Sequence, residues 1–278
     1  AVGLVLDKSG HKSEDIDGIF AGDLINQCTG SAFGIREFGI PYFGVYGACS
    51  TSVLAMINAA VYVDSAKMDY AISSTSSHFC SAEKQFRFPL EYGGQRPPTA
   101  QWTVTGAGAA LITSKSAKNG PVIEKAILGK MVDKNITDAN NMGAAMAPAA
   151  ADTIATFLTQ THTSPDQYDR IITGDLGKVG SALLYELLEK EYSINIRDKH
   201  DDTGLMMYYM DKQDVHAGAS GCGCCGSVLC SKILNELASG KMHRVLVVAT
   251  GALLSAVSPF QGESIPGIAH GILLTDGR

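Results

Sequence analysis

The cysteine in GVYGACSTSV (residues 44–53) is the side chain in this sequence best placed to form a covalent bond. A strand-like run precedes it, Gly47 permits a sharp turn, and Cys49-Ser50-Thr51-Ser52 opens a helical stretch. At a helix N-terminus the free N–H groups and the macrodipole favour a thiolate and attract anions. The same position suits a buried thiol that only forms the floor of a pocket. Ser50 and Thr51 either offer hydroxyls to a ligand or cap the helix.

Other candidates are spread along the chain. His78 follows SSTSS, just past the carboxyl end of a strand, where ligands gather in open α/β sheets. Arg87, Arg96 and Gln101 lie in the aperiodic stretch 78–102, which also holds the only tryptophan. A long irregular connection of this kind serves as a lid, a dimer contact or both. Its arginines either reach a ligand or pair with Glu83 and Glu91. In the second half Asp175, Ser220, Ser255 and His270 fall near strand ends or glycine-rich turns. His270, in GIAHGILL, is either a pocket residue or a hydrogen-bonded core histidine. CGCC (222–225) contains one C-x-x-C, whereas zinc wants two such pairs or nearby histidines; the expectation is a tight glycine-rich turn without metal. NNMGAAMAPAAADT (140–153) reads as a loop entering a small-residue helix.

The elements that must position these residues alternate. Strands are expected at 17–24, 42–47, 70–77, 106–113, 122–132, 170–177, 244–252 and 267–275, and helices at 51–66, 147–160, 178–192 and 227–240. Continuous apolar strands between helices imply buried, largely parallel sheets with helices on their faces. Each half contains a strand ending in small residues, DYAISSTSS and RVLVVATGA, and closes on a short apolar strand. An internal duplication is expected, jointed near Asn119-Gly120-Pro121.

The bulk properties exclude several classes. With 278 residues, 45% of them hydrophobic, the chain can bury one large core or two similar ones. A net charge of -6 with scattered cations argues against nucleic-acid binding. No apolar run approaches the ~20 residues of a membrane span, and no signal peptide is evident. Seven cysteines without a secretory signal read as reduced thiols. The chain opens on Ala1 inside an apparent helix, AVGLVLDKSG, so a native N-terminus is expected upstream.

GACSTS (47–52) and TGAGAALI (105–112) resemble the nucleophile elbow and the small-residue strand of the thiolase and ketoacyl-synthase superfamily. That resemblance implies an α/β, thiolase-like duplicated five-layer αβαβα sandwich with mixed, largely parallel sheets, usually dimeric. Its halves would be 1–120, lacking a first strand, and 121–278. In such enzymes the cysteine takes an acyl group, helped by a histidine and a second histidine or asparagine. The matching stretches here, RIITGDLGKVG and HAGASGCGCCGSV, carry Gly174 or Asp175 and Ala219 at those places. Decarboxylation or Claisen chemistry needs donors at the developing oxyanion, so the resemblance implies a protein that is not an enzyme.

Within the superfamily, FGVYGACSTS, TSSH, EYGGQRPPTAQWTVTGAGAALI, GDLG, DVHAGASG and QGESIPGIAH together are similar to the stage V sporulation protein AD family. This implies binding of dipicolinic acid (pyridine-2,6-dicarboxylate), free or as its calcium chelate, in a degenerate pocket. The role would be uptake into developing spores and release in germination. A second copy and spore inner-membrane transport proteins are the implied partners. The implied place is the cytoplasm or forespore, peripheral to the inner membrane and not secreted. No cofactor is implied beyond calcium arriving with the ligand. A flat ring with two carboxylates needs donors at both ends and apolar walls. The candidate set is Cys49, Ser50, Thr51, His78, Arg87, Arg96, Gln101, Asp175, Ser220, Ser255 and His270. The alternative is a Cys49-dependent acyl-thioester transferase or hydrolase.

Overall fold

The computed structural model describes residues 1–80, 82–86, 95–115 and 120–278; Arg87 and Glu91 lie outside them. In chain order the elements are α1 (Val2–Ser9), β1 (Gly18–Gly22), α2 (Thr29–Ile35), β2 (Tyr42–Gly44), α3 (Thr51–Asp64), β3 (Tyr70–Ser77), β4 (Trp102–Thr103) and β5 (Gly106–Thr113). They continue with β6 (Val122–Leu128), α4 (Met142–Thr161), β7 (Arg170–Gly174), α5 (Gly177–Tyr192), β8 (His200–Asp202) and α6 (Thr203–Met206). The last are β9 (Ala219–Ser220), α7 (Cys222–Val228), α8 (Leu234–Ala238), β10 (Arg244–Ala252) and β11 (Gly267–Thr275).

The strands form two mixed sheets. The first runs β2-β1-β3-β5, with β1 parallel to β2 and β3, and β5 antiparallel to β3. The second runs β6-β11-β10-β7-β8, with β7 parallel to β8 and β10, and β11 antiparallel to β10 and β6. The order β8-β7-β10-β11 thus repeats β2-β1-β3-β5 in direction as well as sequence. A short parallel pair, β4 with β9, aligns Trp102 with Ala219 and ties the irregular segment to the second half.

Five layers follow from which faces are apolar. Val2 and Leu6 of α1 cover one face of the first sheet through Ile19, Ala21 and Ile72. Between the sheets, Val53, Met56 and Ile57 of α3 and Val228 of α7 pack with Val245, Val247 and Ile272. On the far face α4 and α5 place Ile154, Leu158, Leu184 and Leu188 against Leu246, Val248 and Leu273. β10 and β11 are therefore covered on both sides, which explains their unbroken apolar runs.

Two local readings change. Helix α4 begins at Met142, five residues before the expected start, because Asn141 caps it: the Asn141 side chain accepts the Ala144 N–H at 3.3 Å. CGCC is not a turn but the first part of α7, which passes through a π-turn at Leu229–Ile233 into α8. Its glycines let the helix lie directly on the first sheet. A Cβ on Gly223 would come within 2.6 Å of the Ser77 nitrogen, and one on Gly226 within 2.5 Å of Thr75 Oγ1. Cys222, Cys224 and Cys225 are fully buried there. Among the described residues no three His, Cys, Asp or Glu side chains gather as a metal cage, and no helix is long and apolar enough to cross a membrane.

Candidate functional site

The chain enters α3 through a strained turn. Ala48 sits in the left-handed region at φ 50, at a cost of about 1 kcal/mol for a residue with a Cβ. Gly47 has no room for a side chain, since a Cβ would lie 2.7 Å from Ser50 Oγ. The hydroxyls beside the cysteine hold this turn. Ser50 Oγ donates to the Gly47 carbonyl at 2.6 Å. Thr51 Oγ1 donates to the Ala48 carbonyl at 2.6 Å and accepts the Gly47 N–H at 3.0 Å. Ser50 and Thr51 are fully buried and spent on the elbow, so neither is presented to a ligand.

Cys49 itself is 6% exposed and lines a pocket that opens to solvent. Residues distant in sequence line the pocket together. Leu24, Tyr46, Cys49, Phe86, Arg96, Gln101 and Trp102 line it from one side of the sequence, and Asn140, Met142, Ser220, Ala252 and Leu254 from the other. Burial drives the Cys49 thiol far above its ordinary range. Burial also pushes the Tyr46 hydroxyl up to about 12. Both groups therefore hold their protons at neutral pH.

Arg96 is the only basic residue among the described residues that line the pocket. Its guanidinium lies over the Trp102 ring, 4.2 Å from the centroid, and Phe79 stacks on the same ring at 4.3 Å. Nη2 donates to the Asp214 carbonyl at 2.9 Å and lies 3.5 Å from the Asp214 carboxylate, while Nη1 is buried with no hydrogen-bond partner. Gln101 is held more tightly. Its Nε2 donates to the carbonyls of Asp175 at 2.7 Å and Ala219 at 3.1 Å, and its Oε1 is buried without a partner.

Behind Gln101 lies a buried carboxyl pair. Asp202 accepts from Thr173 Oγ1 at 2.7 Å and from the N–H groups of Leu176 at 2.9 Å and Gly177 at 3.0 Å. It thereby fixes the turn after β7, where Asp175 takes φ 66. Asp175 Oδ1 accepts from Thr203 Oγ1 at 3.0 Å. Burial, then the Asp202 charge, raises the Asp175 carboxyl well above the carboxylate range, so it is held protonated. Asp202→Ala would leave two buried N–H groups unpaired. The expected loss is about 2–5 kcal/mol of unfolding free energy, measured by denaturant titration.

The structure thus brings Cys49, Arg96, Gln101 and Ser220 of the expected set to one pocket. Asp175 stands behind its wall, touching it through the carbonyl that receives Gln101. His78 is exposed and does not line the pocket; its backbone N–H donates to Glu83 at 3.1 Å. Ser255 is also exposed and outside it, capping its own turn by accepting the N–H groups of Val257 and Ser258. His270 lies within β11: its Nδ1 accepts the Gly129 N–H at 3.3 Å, and burial lowers its pKa to about 4. Its Nε2 faces the elbow, 3.8 Å from where a Gly47 Cβ would be. Sequence reasoning missed Tyr46, Trp102 and Asn140. Trp102 was signalled by being the only tryptophan, inside the irregular segment; Asn140 carried no signal beyond its place before an N-cap. The helper places hold Gly174 at the end of β7, with Asp175 buried beyond it, and Ala219 in β9.

The family model described as stage V sporulation protein AD (SpoVAD) matches residues 1–275. The stage V sporulation protein AD of Bacillus subtilis (strain 168) is 47% identical over 274 residues, covering 98% of this chain and 80% of that protein. Among solved structures, 3-oxoacyl-[acyl-carrier-protein] synthase III from Aquifex aeolicus superposes with a TM-score of 0.61 at 13% identity, over 99% of this chain and 82% of that one. The tetronic acid condensing enzyme AbyA1 gives 0.66 at 16% identity, over 98% and 84%. Cerulenin-bound OleA from Xanthomonas gives 0.65 at 15%, over 98% and 78%. These likenesses establish the α/β, thiolase-like fold.

Proposed function

Because this chain belongs to the stage V sporulation protein AD family, we propose that its central pocket binds dipicolinic acid without catalysis and supports the movement of that ligand into developing spores. One observation carries the reading: a buried, unpartnered arginine nitrogen in a pocket whose cysteine is held protonated. A carboxylate placed on Nη1 would complete the guanidinium's hydrogen bonding in a low-dielectric site. Trp102, Phe86, Leu254 and Met142 supply walls for a flat ring. The other end of the ligand would meet the hydroxyls of Tyr46 and Ser220. The helper positions argue in the same direction. With Gly174, a neutral Asp175 and Ala219 there, neither helper place holds a histidine or asparagine to assist a condensation.

The test is calorimetric titration of the full chain with dipicolinate, with and without calcium. Saturable binding near one ligand per chain supports the reading. No heat and no thermal shift on folded protein sinks it, and an acyl adduct on Cys49 that turns over would favour the thioester alternative. Spore inner-membrane transport proteins are the proposed recipients of the ligand, with this chain peripheral to the membrane, in the cytoplasm or the forespore.

A second copy is the proposed partner at β2. This edge strand of the first sheet exposes Tyr42 at 38% and Phe43 at 36%, beside Phe33 at 62% and Val61 at 57%. An unpaired apolar edge invites antiparallel pairing about a twofold axis. Phe43→Asp is expected to shift the protein from dimer to monomer in sedimentation at micromolar concentration. An unchanged dimer would place the interface elsewhere.

A further inference from the structure

One polar atom of the pocket is fixed as an acceptor with nothing to accept. Gln101 Nε2 donates to two carbonyls, of Asp175 and Ala219. Exchanging the amide's nitrogen and oxygen would set Oε1 against both carbonyl oxygens, so the orientation is dictated by the neighbours. The amide cannot retreat either: it packs on Gly177, where a Cβ would come 2.8 Å from Nε2. Oε1 is therefore held in place, buried and unpaired. Asn140 Oδ1 is also buried without a partner, but Asn140 can turn to present either end of its amide.

This arrangement conflicts with the fully ionised ligand. The dipicolinate dianion offers a ring nitrogen and four carboxylate oxygens, all acceptors. Set against Oε1 it would leave that oxygen unpaired and oppose like partial charges in a dry site. The charge count points the same way, since among the described lining residues the one cation for two carboxylates is a guanidinium already shared with Asp214, and the hydroxyls of Tyr46 and Ser220 are neutral donors.

Resting on the dipicolinate reading, we infer that the pocket selects the ligand's monoanion, which keeps one proton and donates it as a hydrogen bond to Gln101 Oε1 while its charge lies on Arg96. At neutral pH the free ligand is mostly dianion, so binding draws one proton from solvent onto the ligand. No covalent bond forms or breaks in the protein.

The titratable groups around the site leave the ligand as the acceptor of that proton. Tyr46 and Cys49 in the wall, and Asp175 behind Gln101, are already protonated. Arg96 carries its charge throughout. On its far side Asp214 bridges to His216, with Nε2 at 2.8 Å, and His216 Nδ1 contacts the Pro97 carbonyl at 2.9 Å. His270 faces the elbow from β11 and is kept neutral by burial.

The experiment compares dipicolinate with its monoamide, which has one carboxylate and a permanent N–H donor. Each is titrated into the full chain at neutral pH in buffers of different ionisation enthalpy. For dipicolinate, uptake of about one proton per ligand is expected. For the monoamide, no uptake and affinity at least equal to dipicolinate are expected. Gln101→Met, checked for an unchanged melting transition, should abolish the uptake and weaken the monoamide roughly tenfold. Dipicolinate binding without proton uptake, together with rejection of the monoamide, overturns the inference and leaves the binding reading standing. Binding of dipicolinate only when calcium is supplied, again without uptake, also overturns it, because the cation would then sit on the amide oxygen. Failure of both ligands to bind removes the dipicolinate reading itself, and the inference with it.

Discussion

Arg96→Met should weaken dipicolinate binding by about 100-fold or more, the cost of removing a buried, charge-assisted partner from a carboxylate. The loss arises because the pocket has no second cation among its described lining residues to take over. Arg96→Lys is expected to recover little. The guanidinium lies over Trp102 with Nη2 on the Asp214 carbonyl, and only a planar fork can keep those contacts while offering Nη1 to the ligand. Stability should change far less than affinity. The Asp214 side chain is 81% exposed, and an ion pair of that kind contributes at most about 1 kcal/mol. Calorimetry beside thermal melting separates the two effects. Wild-type affinity in a folded Arg96→Met protein would remove Arg96 from the site and, with it, the main support for the binding reading.

Cys49 is expected to resist alkylation. An exposed cysteine, Cys80, provides an internal standard on the same chain. Each unit by which burial raises a thiol's pKa removes a factor of ten of thiolate, and access is restricted as well, so iodoacetamide should label Cys49 at least about a thousandfold more slowly than Cys80. Mass spectrometry of peptides sampled over time gives both rates from one experiment. The labelling rate distinguishes two kinds of protein. A cysteine that accepts acyl groups needs its thiolate within reach, through a neighbouring base or a cation. Here burial and two neighbouring buried thiols, Cys222 and Cys225, keep the proton on Cys49, and only the backbone N–H groups of Gly221 and Cys49 itself act the other way. Labelling of Cys49 as fast as Cys80 would reopen the thioester alternative.

The fold was readable in the sequence wherever burial on both faces dictated a continuous apolar run. Arg244–Ala252 and Gly267–Thr275 are strands at the expected bounds, and β3 and β5 likewise. The helix beginning at Cys222 was not readable, because Gly-Cys-Gly-Cys-Cys-Gly has the composition of a turn. Only contact with the first sheet, which rewards the absence of side chains, makes it helical. The elbow was legible from Gly47-Ala48-Cys49, since a turn of that shape leaves few choices of residue. Its hydroxyls were not: Ser50 and Thr51 look the same in sequence whether they face a ligand or their own backbone. His78 and Ser255 sit at strand ends, as ligand residues often do, yet the chain carries both to the surface beyond the pocket. Strand-end position specifies a rim, and only the path of the following loop decides which part of the rim closes over a ligand. Gln101 could be named as a polar residue in the irregular segment, but its fixed orientation depends on carbonyls at positions 175 and 219, brought to it by the tertiary fold.

The glycine-faced contact between α7 and the first sheet has a consequence for how this chain can change over generations. At Gly223 and Gly226, and at Gly106 and Gly108 opposite them, even a methyl group would collide with the facing backbone or with Ser77, Thr75 or Ser227. Those sites are closed to neutral drift, because each first step away from glycine meets a steric wall. The wall of the pocket is under no such restriction: Ala252 and Leu254 border open volume, and substitutions there alter what is held without disturbing what holds it. The pocket wall can therefore change while the layers stay in register. Chains of only 13% and 16% identity superpose over nearly all of this one.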